Sequence, residues 1–157
     1  MNRRRVRGAV LLLAAAWLVA ALVTPRPVNP AVTSSSTLDA HLDVPGDVQA
    51  ILRTSCMDCH SDETRWPWYA TVFPASWLLA RDVAEGREQL DLSRWSGYSV
   101  FEQADLLDEI CIRTGGRTMP LPSYRWLHPD ARLSDAQVKR LCAWTHREVA
   151  HLMKGYE

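Results

Sequence analysis

The sequence predicts an all-α protein. Three observations carry that prediction: apolar residues recur at helical spacing, two Ser-x-x-Glu/Gln capping boxes start helices, and alternating strand patterns are absent. The 157 residues suit one small domain with appendages. A hydrophobic share of 47% excludes wholesale disorder. The zero formal net charge excludes a nucleic-acid binder that works by neutralising phosphates. That neutrality is uneven. Arg3, Arg4, Arg5, Arg7 and Arg26 precede every acidic residue, so residues 27–157 carry 13 basic and 18 acidic side chains, a net of −5.

The first element spans residues 1–24. Four arginines precede an uncharged apolar run from Gly8 to Val23, which as a helix reaches roughly 24 Å, marginal against a hydrocarbon core of about 30 Å. A basic start before an apolar stretch is an export pattern, and the arginines stay on the cytoplasmic side. The segment Ala21-Leu22-Val23-Thr24-Pro25 offers no convincing small-x-small cleavage site. An uncleaved membrane anchor is therefore preferred over a removed signal peptide. Either reading places the body outside the cytoplasm, on the periplasmic side. Residues 25–43 then read as a tether, stiffened by Pro25, Pro27 and Pro30 and loosened by Thr33 to Thr37.

Residues 44–157 read as four helices joined by proline-rich loops. Asp43 as cap and Pro45 in the first turn start one that puts Val48, Ile51, Leu52 and Ser55 on one face. A second starts near Pro74, with Trp77, Leu78, Arg81, Ala84 and Arg87 at helical spacing. Ser99 and Glu102 box a third, carrying Phe101, Ala104, Leu107, Ile110 and Cys111 before Gly115-Gly116 stops it. Ser134 and Gln137 box the last, carrying Val138, Leu141, Cys142, Thr145, Val149 and Leu152.

The chemistry sits in Cys56-Met57-Asp58-Cys59-His60, the attachment pattern for c-type haem. Two thiols three positions apart on a helical turn reach the two vinyl groups, and the adjacent histidine lies under the iron. Zinc would want a second ligand pair at matching spacing, which Cys111 and Cys142 do not form. A thioredoxin-like pair would need a βαβ setting that the chain lacks, and a structural disulfide is the remaining rival. Cofactor attachment of this kind occurs outside the cytoplasm, in agreement with the export pattern.

The motif and its surroundings resemble one family closely. The run Ser55 to Ser61, then Trp66-Pro67-Trp68-Tyr69, Pro74-Ala75-Ser76-Trp77, Glu85-Gly86-Arg87 and Leu92-Ser93-Arg94-Trp95, resembles the haem-binding domain family of small exported cytochrome-like proteins. Met119-Pro120-Leu121-Pro122-Ser123-Tyr124, Leu127-His128-Pro129-Asp130-Ala131 and Leu133-Ser134 continue the likeness, over about residues 45–147. The resemblance implies one covalent haem c in a helical cytochrome c-like domain, without implying a defined physiological role.

The sixth iron ligand comes from Met57, Met119, Met153, His41, His128, His146 or His151. Met119 is preferred, because its loop follows Gly115-Gly116, is locked by Pro120, and resembles the methionine-bearing loop of small cytochromes c. His128, in the same loop system, is the alternative. A backbone carbonyl in the Pro67–Pro74 segment is a candidate acceptor for the second ring nitrogen of His60. Trp66, Trp68, Tyr69, Trp77, Trp95 and Trp126 divide between porphyrin contact and plain core. Arg65, Arg87 and Arg125 are candidates for the haem propionates. Cys111 and Cys142 remain as an even pair in an oxidising compartment, which favours a disulfide over two buried thiols.

A His/Met pair closes both axial positions and suits electron transfer. The expected function is thus a membrane-anchored monohaem carrier of single electrons, with an acidic body that fits a redox partner bearing a basic docking face. The alternatives are a sensor or peroxidase-like domain with a displaceable sixth ligand, and a haem-bearing subunit of a larger membrane redox complex. No acid/base pair, nucleophile triad or phosphate loop points to an enzyme with its own substrate.

Overall fold

In the computed structural model, which describes residues 3–24 and 27–154, both capping boxes form. Ser99 accepts from the Glu102 N–H and Glu102 accepts from the Ser99 N–H, starting α6 (Val100–Gly115). Ser134 and Gln137 do the same for α8 (Asp135–Met153). Each box satisfies two of the donors that a helix start leaves open. Gly116 caps α6, its N–H donating to the Ile112 carbonyl. Helices α6 and α8 pack against each other as the main helical pair. Among the described residues there are helices and 3-10 turns but no strands, so the fold is all-α.

The other elements in chain order are α1 (Arg3–Val23), α2 (Leu38–His41), α3 (Gly46–Ser55), α4 (Met57–His60), α5 (Ala75–Gln89) and α7 (Pro122–Leu127). Four 3-10 turns, Ser34–Ser36, Trp68–Thr71, Leu92–Gly97 and Pro129–Ala131, connect them. Helix α1 buries no residue and is long and apolar enough to cross a membrane.

The face expected of α3 is the face it buries: Val48, Ile51, Leu52 and Ser55. Val48, Ile51 and Leu52 join Trp95, Leu107, Ile110, Leu141 and Trp144 in one core. Each aliphatic side chain closed off there contributes about 1.5–3 kcal/mol. Asp43 does not cap α3. Its carbonyl accepts from the indole N–H of Trp144 at 2.9 Å, and Pro45 occupies the cap position.

Composition hides the role of residues 27–43. Leu38 and Leu42 of the stretch read as a tether are buried in the core cluster, and α2 packs on the Leu92–Gly97 turn. Farther upstream, Asn29 donates to the Thr64 carbonyl at 2.8 Å and accepts from the Trp66 indole at 2.9 Å. Much of this stretch is therefore a layer of the domain. Pro25 and Arg26 lie outside the described residues, as do 155–157.

The register expected of α5 is also corrected. Trp77 and Leu78 are exposed, and the buried face is Ser76, Val83 and Gly86. Gly86 belongs to that face because α5 lies directly on α4, where a Cβ would not fit.

Candidate functional site

Helix α3 breaks at Cys56, where φ −127° and ψ −47° leave the helical track, and one new turn, α4, carries the rest of the cysteine–histidine motif. The Cys56 carbonyl accepts from the N–H groups of Cys59 and His60 at 3.1 and 2.9 Å, which fixes that turn. Its open carbonyls are satisfied by side chains. Ser61 Oγ donates to the Met57 carbonyl at 2.7 Å and Thr64 Oγ1 to the Asp58 carbonyl at 2.8 Å.

Gly86 sets how closely α5 lies on this turn. A Cβ there would stand 2.7 Å from the Cys59 carbonyl oxygen. The next residue, Arg87, donates to the Ser61 carbonyl at 2.8 Å and to Thr64 Oγ1 at 3.0 Å. Gly86 and Arg87 thus clamp the turn and the loop that follows it.

The imidazole of His60 is oriented by the end of the same helix. Its Nδ1 lies 2.8 Å from the Gly86 carbonyl and 3.1 Å from the Leu90 carbonyl, so Nδ1 carries the proton and Nε2 keeps its lone pair. The acceptors therefore come from α5 and its cap, not from the Pro67–Pro74 segment. Burial holds the His60 pKa below its ordinary value, against these two bonds and nearby Asp91. The ring is neutral, as a metal ligand must be. Burial pushes the Cys56 thiol up to about 12, aided by its neighbour Cys59, whose own thiol burial and Asp58 push up to about 11.

Cys56, Cys59 and His60 line a cavity of about 410 Å³, within the roughly 300–1,000 Å³ of cofactor sites. Leu52, Leu90, Leu92, Leu106 and Ile110 give it apolar walls, and Met119, Pro120 and Leu121 close it from the segment between α6 and α8. Arg113, paired with Glu109 on α6, is the cation on its wall, while Asp82 and Glu85 of α5 add acidic groups.

Two thiols, a neutral imidazole with one committed nitrogen, a thioether and apolar walls are a donor set that fits a haem. A family model described as a haem-binding domain matches residues 15–147. The chain belongs to the haem-binding domain family. No curated protein and no solved structure gives a match.

The other ligand candidates of this family member lie outside the cavity lining. His128 Nε2 shares a hydrogen bond with the Tyr69 hydroxyl at 2.6 Å, and its ring stacks on Tyr124 with ring centroids 4.2 Å apart. Met57 packs against the core, His41 contacts the Ser35 carbonyl, and His146 and His151 are exposed on α8. Met153, on the last turn of α8, lines nothing here.

Two expectations for the haem environment are corrected. None of the tryptophans lines the cavity: Trp95 and Trp144 are core, while Trp68, Trp77 and Trp126 are exposed. None of the three expected arginines does either. Arg65 forks onto Asp58 at 3.0 and 2.9 Å, Arg87 serves the clamp, and Arg125 bonds the Arg117 carbonyl. Sequence reasoning passed over Arg113 and the structural part of Gly86. A signal for the second existed, since a glycine inside a helix costs about 1 kcal/mol and calls for a packing reason.

Cys111 and Cys142 place their Sγ atoms 1.98 Å apart, joining α6 to α8 across the segment that carries Met119.

Proposed function

We propose that the protein is a monohaem c-type cytochrome, held by α1 on the periplasmic face of a membrane, that carries single electrons. The observation that carries this reading is that Cys56, Cys59, His60 and Met119 share one apolar cavity while His60 Nδ1 is committed to two carbonyls. Haem bound there supplies a one-electron iron couple. Cys56 and Cys59 would hold it by thioethers, and His60 and Met119 would supply the nitrogen and sulfur donors to its iron. The Gly86 and Leu90 carbonyls orient the imidazole and raise its basicity. The leucine and isoleucine walls would exclude water from the bound group, and a thioether donor would favour its reduced state. Arg113, on the cavity wall, would supply the cation for a propionate.

The disulfide-distance pair and the apolar N-terminal helix both fit an oxidising, extracytoplasmic setting. The net −5 of residues 27–157, with two propionates added, favours a partner with a basic docking face.

Carbon monoxide binding to the reduced protein tests the proposal. A His/Met carrier binds it slowly or not at all, and the oxidised protein shows the weak long-wavelength band of sulfur-to-iron ligation, which Met119→Ala abolishes. Rapid binding by the native protein contradicts the carrier reading and favours a sensor or peroxidase-like site.

A further inference from the structure

The segment between α6 and α8 is a strap, and one of its contacts reaches the attachment turn itself. Its two ends are held locally. Arg117 bonds the Leu133 carbonyl and Asp135, while Arg132 donates to the Arg125 carbonyl at 3.2 Å. These contacts stay within the strap and the start of α8. Tyr124 differs. Its hydroxyl donates to Asp58 Oδ2 at 2.6 Å, across 66 positions of sequence. Asp58 is one of the two residues between the motif cysteines, and only 9% of its surface is exposed.

The acceptor is well prepared. Arg65 forks onto both Asp58 oxygens and also donates its backbone N–H, so the carboxylate is fixed before Tyr124 meets it. Burial works to raise the Asp58 pKa but is outweighed by Arg65 and Tyr124, which hold it below its ordinary value. Tyr124 lines the cavity and its ring stacks on His128, which Tyr69 holds in turn. Met119 lies five residues upstream of Tyr124 on the same strap.

We infer that the Tyr124 hydroxyl is the latch that holds the Met119 strap closed over the cavity, by tying it to Asp58 of the attachment turn. Tyr124 is thus a positioning residue: it acts on the iron site through the strap. A hydrogen bond from a neutral donor to a fixed, buried carboxylate shifts an opening equilibrium by about 10- to 100-fold. The part of the inference that concerns iron rests on Met119 being the sixth ligand.

The test uses the full haem-loaded chain and Tyr124→Phe, which keeps the ring and removes only the hydroxyl. Two readouts are taken: imidazole titration of the oxidised protein, and hydrogen exchange of the amides of residues 119–128. The latch predicts that imidazole affinity rises and strap exchange quickens, each about 10- to 100-fold, with α8 amides unchanged. Val48→Ala, which opens a cavity in the core, lowers thermal stability and leaves imidazole affinity at the native value. Native strap exchange in Tyr124→Phe overturns the latch, as does opening by Tyr69→Phe alone. Faster strap exchange in Tyr124→Phe, with no sulfur-ligation band in the native protein, retains the latch and removes Met119 as ligand.

Discussion

Replacing Gly86 by alanine sets two effects of opposite sign against each other. Helix propensity alone favours the change by about 0.8–1.0 kcal/mol. Against it, the new methyl would stand 2.7 Å from the Cys59 carbonyl oxygen and 3.2 Å from both its carbonyl carbon and its Cβ. These neighbours are mostly backbone of the attachment turn and cannot rotate aside. Overpacking of this kind costs about 1–3 kcal/mol. Relief requires α5 to withdraw, which stretches the 2.8 Å bond between His60 Nδ1 and the Gly86 carbonyl and loses about 1 kcal/mol more. The net is a destabilisation of about 1–3 kcal/mol. Thermal unfolding of the haem-loaded protein reads this as a fall of roughly 2–12 °C in midpoint. A second readout is the reduction potential, which rises because a more weakly bonded imidazole donates less to ferric iron. A higher midpoint with an unchanged potential would show that Gly86 is not held against Cys59, since that is what propensity alone gives.

Two further predictions concern the frame of the site. Replacing Cys111 and Cys142 by serine frees a loop of 31 residues and lowers stability by roughly 3–4 kcal/mol in the chain-entropy model, measured by chemical denaturation. Equal midpoints for the native and double-serine proteins would show that the pair is not bonded. The cofactor-free protein should lose stability with acid through Asp58. A carboxyl held below its ordinary value contributes stability that is complete above that value and is lost as pH falls through the folded one. Denaturation midpoints taken below about pH 4 therefore fall more steeply in the native protein than in Asp58→Asn, and parallel slopes would contradict the assignment.

The sequence makes some of this architecture legible because local rules and the tertiary outcome agree. Ser99 with Glu102 and Ser134 with Gln137 start the helices that they signal, and the α3 stripe faces the core as its period requires. In α5 that agreement fails. Its buried face is chosen by close approach to Cys59, so the large residues Trp77 and Leu78 turn outward and the period misleads. Leu38 and Leu42 are too few to show a period, and serines and prolines around them mask their part in the core. At the site, the motif and Met119 come from local reading, and both line the cavity. The partners of His60 are backbone carbonyls 26 and 30 positions away, and a carbonyl leaves no mark in the identity of its residue. Arg113 was hidden for a different reason: only the turn of α6 decides which of several arginines meets the cavity.

Covalent attachment of haem at Cys56 and Cys59 is the most direct test of the account. Acid–organic extraction of the purified chain, followed by peptide mass analysis, measures it. With the thioethers in place, the colour stays with the protein and one haem is carried by the peptide containing Cys56 to His60. Colour that leaves with the solvent, with Cys56 and Cys59 both open to alkylation, would contradict it.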